Sequence, residues 1–255
     1  MKELICKYKE AFVLRDNRIG CYKGPIQHRI DLVDDAKPFV ARARREPPHL
    51  KEEQRKQDDE LIKQGIIEPS TSLWCAPARL VPKKNGEYRY AIDFRGTNAV
   101  TKKMVYSLPL ITEQVEIAAR SCLFSSFDFQ SGFFQIPLFK KHKERTAFAS
   151  FYGLFQFTRM AMGLCGAPQT FQRVMEDMKR QLSEAFLIYL DDVALCSENE
   201  DDHLNDIECF LKTILNYGLK LRIDKCQFGR SELKYLGYLI SKNSIRPDPR
   251  ACFVV

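Results

Sequence analysis

Two adjacent carboxylates, Asp191 and Asp192, sit in the run Ala185-Phe186-Leu187-Ile188-Tyr189-Leu190-Asp191-Asp192-Val193-Ala194-Leu195-Cys196, whose other side chains favour burial. An ionised carboxylate in apolar surroundings takes up a proton or finds a cation, and two side by side also repel. Strand-forming residues flank the pair, so the run reads as two short strands joined by a tight turn with Asp191 and Asp192 at its tip. Carboxylate oxygens are the ligands Mg²⁺ prefers. A surface turn in which Asp serves only its turn chemistry is the plain alternative. A third acid bears on the choice, because Phe124-Ser125-Ser126-Phe127-Asp128-Phe129 ends an apolar, aromatic strand on a lone carboxylate. Two strands from distant parts of the chain could bring Asp128 and Asp191 together to hold two cations ~3.5–4 Å apart, the arrangement used for displacement at phosphorus. One cation would lower the pKa of an attacking hydroxyl and the other would steady a leaving pyrophosphate.

Something must position those acids, and the composition allows a core to do it. The chain has 255 residues, 45% hydrophobic and 29% charged, which suits a globular protein of one or two domains. No stretch approaches the ~18 consecutive apolar residues of a membrane span, and Met1-Lys2-Glu3-Leu4 lacks a signal peptide's apolar core. The expected location is inside the cell, in the cytoplasm, neither secreted nor in a membrane. Nine cysteines without a Cys-x-x-Cys pair indicate neither a disulfide framework nor a zinc site. The net charge of +7 permits a polyanionic partner without identifying one. Basic residues concentrate in Arg42-Ala43-Arg44-Arg45, Lys83-Lys84 and Lys140-Lys141-His142-Lys143.

Pro47-Pro48 opens a charged helix from about Leu50 to Gln64, with Gly65 as its stop. Strands Ala78 to Pro82 and Tyr88 to Phe94 flank the hairpin turn Lys83-Lys84-Asn85-Gly86. Ser107-Leu108-Pro109 reads as cap and first turn of a helix through Ala119, ahead of the strand Leu123 to Phe129. Phe171, Val174, Met175, Met178 and Leu182 recur at helical spacing after Pro168, and Leu204, Ile207, Leu211, Ile214 and Leu215 do so before Gly218. Helix, acidic hairpin and helix beside a separate acidic strand make an α+β layer, with helices expected on one sheet face.

Three segments then carry a family resemblance: Ser126-Phe127-Asp128-Phe129-Gln130-Ser131-Gly132-Phe133-Phe134-Gln135-Ile136, Met162-Gly163-Leu164-Cys165-Gly166-Ala167-Pro168-Gln169-Thr170-Phe171-Gln172, and Tyr189-Leu190-Asp191-Asp192. In that order and spacing they resemble the reverse transcriptase domain of gypsy-type long-terminal-repeat retrotransposons. Supporting pieces include Asp93-Phe94-Arg95-Gly96-Thr97-Asn98 and Lys234-Tyr235-Leu236-Gly237-Tyr238. The resemblance implies a right-hand polymerase fold, a palm with an antiparallel sheet packed with helices plus a fingers subdomain. By that analogy residues 1–37 lead in, fingers take 38–102 and 136–166, and palm takes 103–135 and 167–243. Residues 244–255 are the truncated start of a thumb that is otherwise expected to be absent.

The resemblance also implies roles. Asp128, Asp191 and Asp192 match the catalytic, metal-binding acids, for two Mg²⁺ ions or Mn²⁺ in their place. Lys83 and Arg89 match residues that hold the nucleoside triphosphate, and Phe133 the aromatic that crowds the sugar 2′ position. Met162 lines the nucleotide pocket where retroviral relatives carry glutamine. Gln169 and Gln172 lie along template and nucleotide, and Leu236, Gly237 and Tyr238 resemble the primer grip. The implied activity is RNA-directed DNA polymerisation: deoxynucleoside triphosphates are added to a primer on an RNA or DNA template. A catalytically silent remnant that binds nucleic acid or protein through the same fold is the alternative, and oligomeric state is open.

Overall fold

The structure, a computed structural model, describes residues 1–14, 18–41, 47–83, 86–107 and 109–249. Lys84 and Asn85 of the expected hairpin turn, the Arg42-Ala43-Arg44-Arg45 run, Leu108 and the end from Arg250 to Val255 lie outside the described residues. In chain order come α1 (Lys2–Lys7), α2 (Pro48–Lys63), β1 (Ile67–Pro69), β2 (Ala76–Pro82), β3 (Tyr88–Ile92), α3 (Arg95–Ala99) and α4 (Ile111–Ala119). Next are β4 (Leu123–Phe127), β5 (Phe148–Ser150), β6 (Gly153–Phe157), α5 (Ala167–Lys179), β7 (Phe186–Tyr189) and β8 (Asp192–Ser197). Then follow α6 (Glu200–Tyr217), β9 (Gln227–Arg230), β10 (Glu232–Tyr235), β11 (Tyr238–Ser241) and β12 (Ser244–Pro247). No helix among the described residues is long and apolar enough to cross a membrane.

The chain forms two compact units. One comprises Met1–Gly24, Tyr106–Gly132 and Phe171–Val255, and holds all three candidate acids; the other comprises Pro25–Val105 and Phe133–Thr170. The second has 21 basic against 13 acidic residues, the first 19 against 20. They are termed the basic unit and the acid-bearing unit.

The basic unit is built on a five-stranded sheet of order β1-β6-β5-β2-β3. Its core is aromatic: Phe148 and Phe157 pack at 5.3 Å between ring centroids, with Phe94 6.1 Å from Phe157. Each such ring taken out of water contributes roughly 1.5–3 kcal/mol. Pro48 at the first turn starts α2, and Gly65 beyond its end takes φ +67. The helix docks through polar groups, because the Gln54 amide donates to the Tyr90 hydroxyl at 2.9 Å and the buried Asp58 carboxylate accepts from Ser150.

The acid-bearing unit is a layered stack. Its four-stranded sheet has the order β7-β8-β4-β9, and a three-stranded sheet β10-β11-β12 accompanies it. Period-2 alternation divides the four-stranded sheet into two apolar faces. On one, Phe127 and Phe186 meet Phe210 of α6 at 4.4 and 5.1 Å. On the other, Phe124, Leu187, Ala194 and Cys196 pack with Val115 and Ala118 of α4 and with Leu233, Tyr235 and Ile240 of the second sheet. Helices therefore cover both faces, not the single face expected. Both sides of β7 and β8 are apolar in sequence, so the run cannot announce which partner covers which side.

The helical spacing that runs up to Gly218 is met by α6, and the structure adds a cap that the spacing did not announce. Asn199 caps it by accepting the Asp202 N–H at 2.9 Å, Glu200, Asp201 and Asp202 fill the first turn, and Gly218 closes it at φ +69. A Cβ at Gly218 would stand 2.4 Å from the Cys21 carbonyl oxygen, so only glycine fits there. The start of α4 differs from expectation. Leu110 is extended, at ψ 125, so the helix opens at Ile111 and Ser107 lies too far upstream to cap it. Leu182 lies beyond the end of α5, so its match to the helical spacing is coincidental.

Candidate active site

Tyr189 and Asp192 are the last paired residues of the β7–β8 hairpin, which leaves Leu190 and Asp191 as its two-residue loop. Asp192 thus opens a strand instead of sharing the tip. Leu190 takes φ +55, with no positive φ at Asp191, the pattern of a type II′ turn that ordinarily places glycine first. A β-carbon there costs about 1–2 kcal/mol. A hydrogen bond offsets part of that cost: the Leu190 N–H donates to Gln172 Oε1 at 2.6 Å.

Asp128 comes from the other side of the ladder. β4 pairs antiparallel with β8 with Phe127 opposite Val193, and one further step along that register puts Asp128 level with Asp192. The expected strand through Phe129 stops at Phe127, because the Asp128 carbonyl leaves the ladder to accept the Arg222 N–H at 2.8 Å. Partial desolvation raises the pKa of Asp128, Lys225 and Arg222 pull it back, and the charge of Asp191 pushes it up again. Lys225 Nζ stands 3.7 Å from Asp128 Oδ2. Desolvation also raises Asp192, followed by the charges of Asp191 and Asp128.

Three carboxylates from two distant strands therefore share one electronegative place that a proton or a cation relieves. Among the described residues no group of three or more His, Cys, Asp or Glu side chains stands arranged to hold a metal ion as the chain is placed. An open set of carboxylate oxygens suits Mg²⁺, which keeps water and substrate oxygens among its ligands.

The β10–β11 hairpin belongs to the same unit. Tyr235 pairs with Tyr238 across a turn in which Leu236 has φ +49 and Gly237 φ +84, the left-handed pair of a type I′ turn. Leu236 and Tyr238 pack on the core shared by α4 and the four-stranded sheet, and the Gly237 carbonyl accepts the Asp248 N–H at 2.9 Å. The charge of Asp192 adds to the burial that raises the Tyr235 hydroxyl's pKa.

The remaining candidates lie in the basic unit, except Gln172. Arg89 is exposed on β3 opposite Val81, and Lys83 just past β2 donates to Glu87 Oε2 at 2.9 Å. Phe133 is half-buried in a 3-10 turn, Gly132–Gln135. Met162 is 51% exposed beside Gly163. Gln169 Oε1 is enclosed without a hydrogen-bond partner. Gln172, in the acid-bearing unit, is wholly buried with both amide atoms engaged by Leu190 and Glu176, which gives no open face for a template contact.

Residues 81–240 match the family described as reverse transcriptase (RNA-dependent DNA polymerase). The chain belongs to the reverse transcriptase family. It is 31% identical over 255 residues to the retrovirus-related Pol polyprotein from transposon gypsy of Drosophila melanogaster, covering 97% of this chain and 24% of that one. It is 32% identical over 223 residues to the enzymatic polyprotein of Cauliflower mosaic virus (strain Strasbourg), covering 86% and 33%. The gypsy-type resemblance read from the motifs thus holds, and the chain spans about a quarter to a third of these relatives' length. The foamy viral protease-reverse transcriptase, solved in complex with an RNA/DNA hybrid, shares the fold at TM-score 0.87 and 23% identity over 97% of this chain and 33% of that one. The same protein in complex with double-stranded DNA superposes with TM-score 0.87.

In this member of the reverse transcriptase family, one residue beside a candidate in each unit was given no role by the sequence. Lys225 is the cation beside Asp128, reached through a 3-10 turn, Ile223–Lys225, whose lysine carries no motif of its own. Asn98 holds the Met162 loop: its amide donates to the Gly163 carbonyl at 2.7 Å and its Oδ1 accepts the Cys165 N–H at 2.8 Å. Asn98 ends the supporting Asp93-to-Asn98 segment, so its signal was present without a role attached.

Proposed function

We propose that this reverse transcriptase adds deoxynucleotides to a primer 3′ end on an RNA or DNA template, with the acid-bearing unit serving as palm and the basic unit as fingers. The bounds that the family resemblance implies, palm at 103–135 and 167–243 and fingers at 38–102 and 136–166, differ from the two units by three or four residues at each junction, so residues 103–105, 133–135 and 167–170 count as palm by those bounds and as part of the basic unit by packing. The observation that carries the reading is the meeting of Asp128, Asp191 and Asp192, with Asp128 and Asp192 held above the ordinary carboxylate range. Asp128, Asp191 and Asp192 would hold divalent cations, Mg²⁺ or Mn²⁺, which when bound lower the pKa of the primer hydroxyl and steady the leaving pyrophosphate.

The protein's part is placement. Arg89 offers a planar fork to phosphate oxygens and Lys83 a mobile point charge, released from Glu87 when the triphosphate arrives. Phe133 sets the room at the sugar 2′ position, and Met162 and Gln169 border the nucleotide and template. Leu236, Gly237 and Tyr238 present the backbone of a tight hairpin to the primer, where the missing side chain of Gly237 allows close approach. For Gln172 the burial supports a different task from template contact, holding the acidic turn.

The test is Mg²⁺-dependent primer extension on an RNA template by this chain, beside its Asp191→Asn variant. Extension by the parent and none by the variant supports the reading. No extension by either, with template and primer still bound, returns the chain to the silent alternative.

A further inference from the structure

The buried amide of Gln172 is one link in a longer path. Its Nε2 donates to Glu176 Oε1 at 3.0 Å, one turn further along α5. The other Glu176 oxygen accepts the hydroxyl of Tyr106, which stands in the segment ahead of α4. Donation runs from the Leu190 N–H to Gln172 and on to Glu176, where the Tyr106 hydroxyl donates from the other side, all within the acid-bearing unit.

Each link orients the next. An ionised carboxylate only accepts, so Glu176 draws the Gln172 amide nitrogen toward itself and thereby turns Oε1 toward Leu190. Reversing that amide would set nitrogen against the Leu190 N–H and lose both bonds. Desolvation, and then the bond to Glu176, push the Tyr106 hydroxyl up to about 12, so it stays a donor across the working pH range. The hydrogen-bonded end of the path is the residue at φ +55, a conformation that persists in a non-glycine residue only where surrounding structure holds it.

We propose that Tyr106 and Glu176 are positioning residues that act through Gln172 to hold the Leu190-Asp191 turn, and with it the Asp191 carboxylate, in its working place. The activity arm of the test rests on the polymerase reading, and the hydrogen-exchange arm does not.

Three variants of the full chain separate the possibilities. Tyr106→Phe removes the hydroxyl donor with little change of shape. Glu176→Ala breaks the path, and Glu176→Gln restores it, because glutamine accepts from Gln172 with its oxygen and donates to the Tyr106 hydroxyl with its nitrogen. The direct measurement is amide hydrogen exchange at Leu190, with thermal unfolding as the control for general loosening.

Protection at Leu190 is expected to fall by roughly tenfold in Tyr106→Phe and further in Glu176→Ala, and to recover in Glu176→Gln. In primer extension, kcat should fall by about tenfold in Tyr106→Phe with nucleotide KM nearly unchanged, because the loss is in placement of the acid. Unchanged Leu190 protection in both Tyr106→Phe and Glu176→Ala overturns the proposal. So does a loosened Leu190 amide accompanied by parental kcat. If the parent itself does not extend a primer, the polymerase reading fails, and the exchange pattern alone decides whether the path holds the turn.

Discussion

The two units of this chain differ most in how they carry charge. The basic unit holds the whole positive surplus, 21 basic residues against 13 acidic, while the acid-bearing unit is close to balance at 19 against 20. Within that balanced unit the negative charge is focused, since the charge of Asp191 adds to the cost of ionising Asp128 and, with Asp128, to that of Asp192. A diffuse positive field attracts a polyanion without regard to sequence, whereas a focused negative spot selects a compact cation. On the proposed reading, attraction of the polyanion rests mainly on the basic unit and cation capture on the three acids, so neutralising an acid should leave affinity for template and primer standing.

The sharpest break of that comparison is Asp191→Asn or Asp128→Asn. Extension should drop by on the order of a thousandfold or more, while affinity for template and primer, measured by fluorescence anisotropy, stays near that of the parent. Asp128→Asn should also be at least as stable as the parent in metal-free buffer at neutral pH. The folded protein raises the Asp128 pKa, so its ionisation destabilises the fold as pH rises through that range. Retained extension in both variants would remove the acids from the site.

Phe133→Val tests a selectivity assigned to the basic unit. The ring is proposed to exclude a 2′-hydroxyl, so the ratio of ribo- to deoxynucleotide incorporation efficiency should rise by roughly tenfold or more, with deoxynucleotide use falling modestly. An unchanged ratio in an active variant makes Phe133 a packing residue.

How legible these units were in the sequence depended on whether a residue's partner lies nearby in the chain. The Gly218-closed α6 carries its own signal, and so does the acidic hairpin, whose apolar flanks leave Asp191 in the loop and Asp192 at the first position of β8. The docking of α2 was hidden, because Gln54 and Asp58 look like a solvated face and are buried only by meeting Tyr90 and Ser150. Lys225 and Gln172 are hard to read for the same reason. A lone lysine and a helix glutamine acquire their tasks from Asp128 and Leu190, which the chain brings to them only on folding.

A smaller effect sharpens the charge contrast. Lys102 and Lys103 line a groove of about 620 Å³ in the basic unit, together with Arg29 and Arg145. Lys102→Ala with Lys103→Ala should reduce the slope of log affinity against log salt by roughly 0.9 for each phosphate that the two lysines neutralise in the parent. The same pair of changes at Lys2 and Lys9, in the acid-bearing unit, should leave the slope as it was. Equal loss from both pairs would mean that the surplus charge acts as a whole-chain field without a preferred unit.

The smallest effect compares two buried histidines, one in each unit. His28 in the basic unit is fully buried, with Nδ1 2.9 Å from the Thr170 hydroxyl and Nε2 enclosed without a hydrogen-bond partner. His203 in the acid-bearing unit has both nitrogens met by hydroxyls, Ser125 at 2.7 Å and Ser197 at 2.9 Å. Burial lowers both, and takes His28 to about 4. A proton on His28 would place an unmatched N–H in the interior, while the hydroxyls around His203 can rotate to accept from a doubly protonated ring. The unfolded chain takes up that proton near pH 6.5 and the folded one only near 4, so stability from His28 is complete above pH 6.5 and declines as pH falls toward 4. His28→Asn keeps a group near Thr170 and removes the titration. It should be less stable at pH 7 by about 1–2 kcal/mol through lost ring burial, yet show a flatter loss of stability between pH 6.5 and 4. Ring-proton titration by NMR provides the direct comparison, with His28 expected to protonate at lower pH than His203; the reverse order would mean that the enclosed Nε2 finds a partner as the fold breathes.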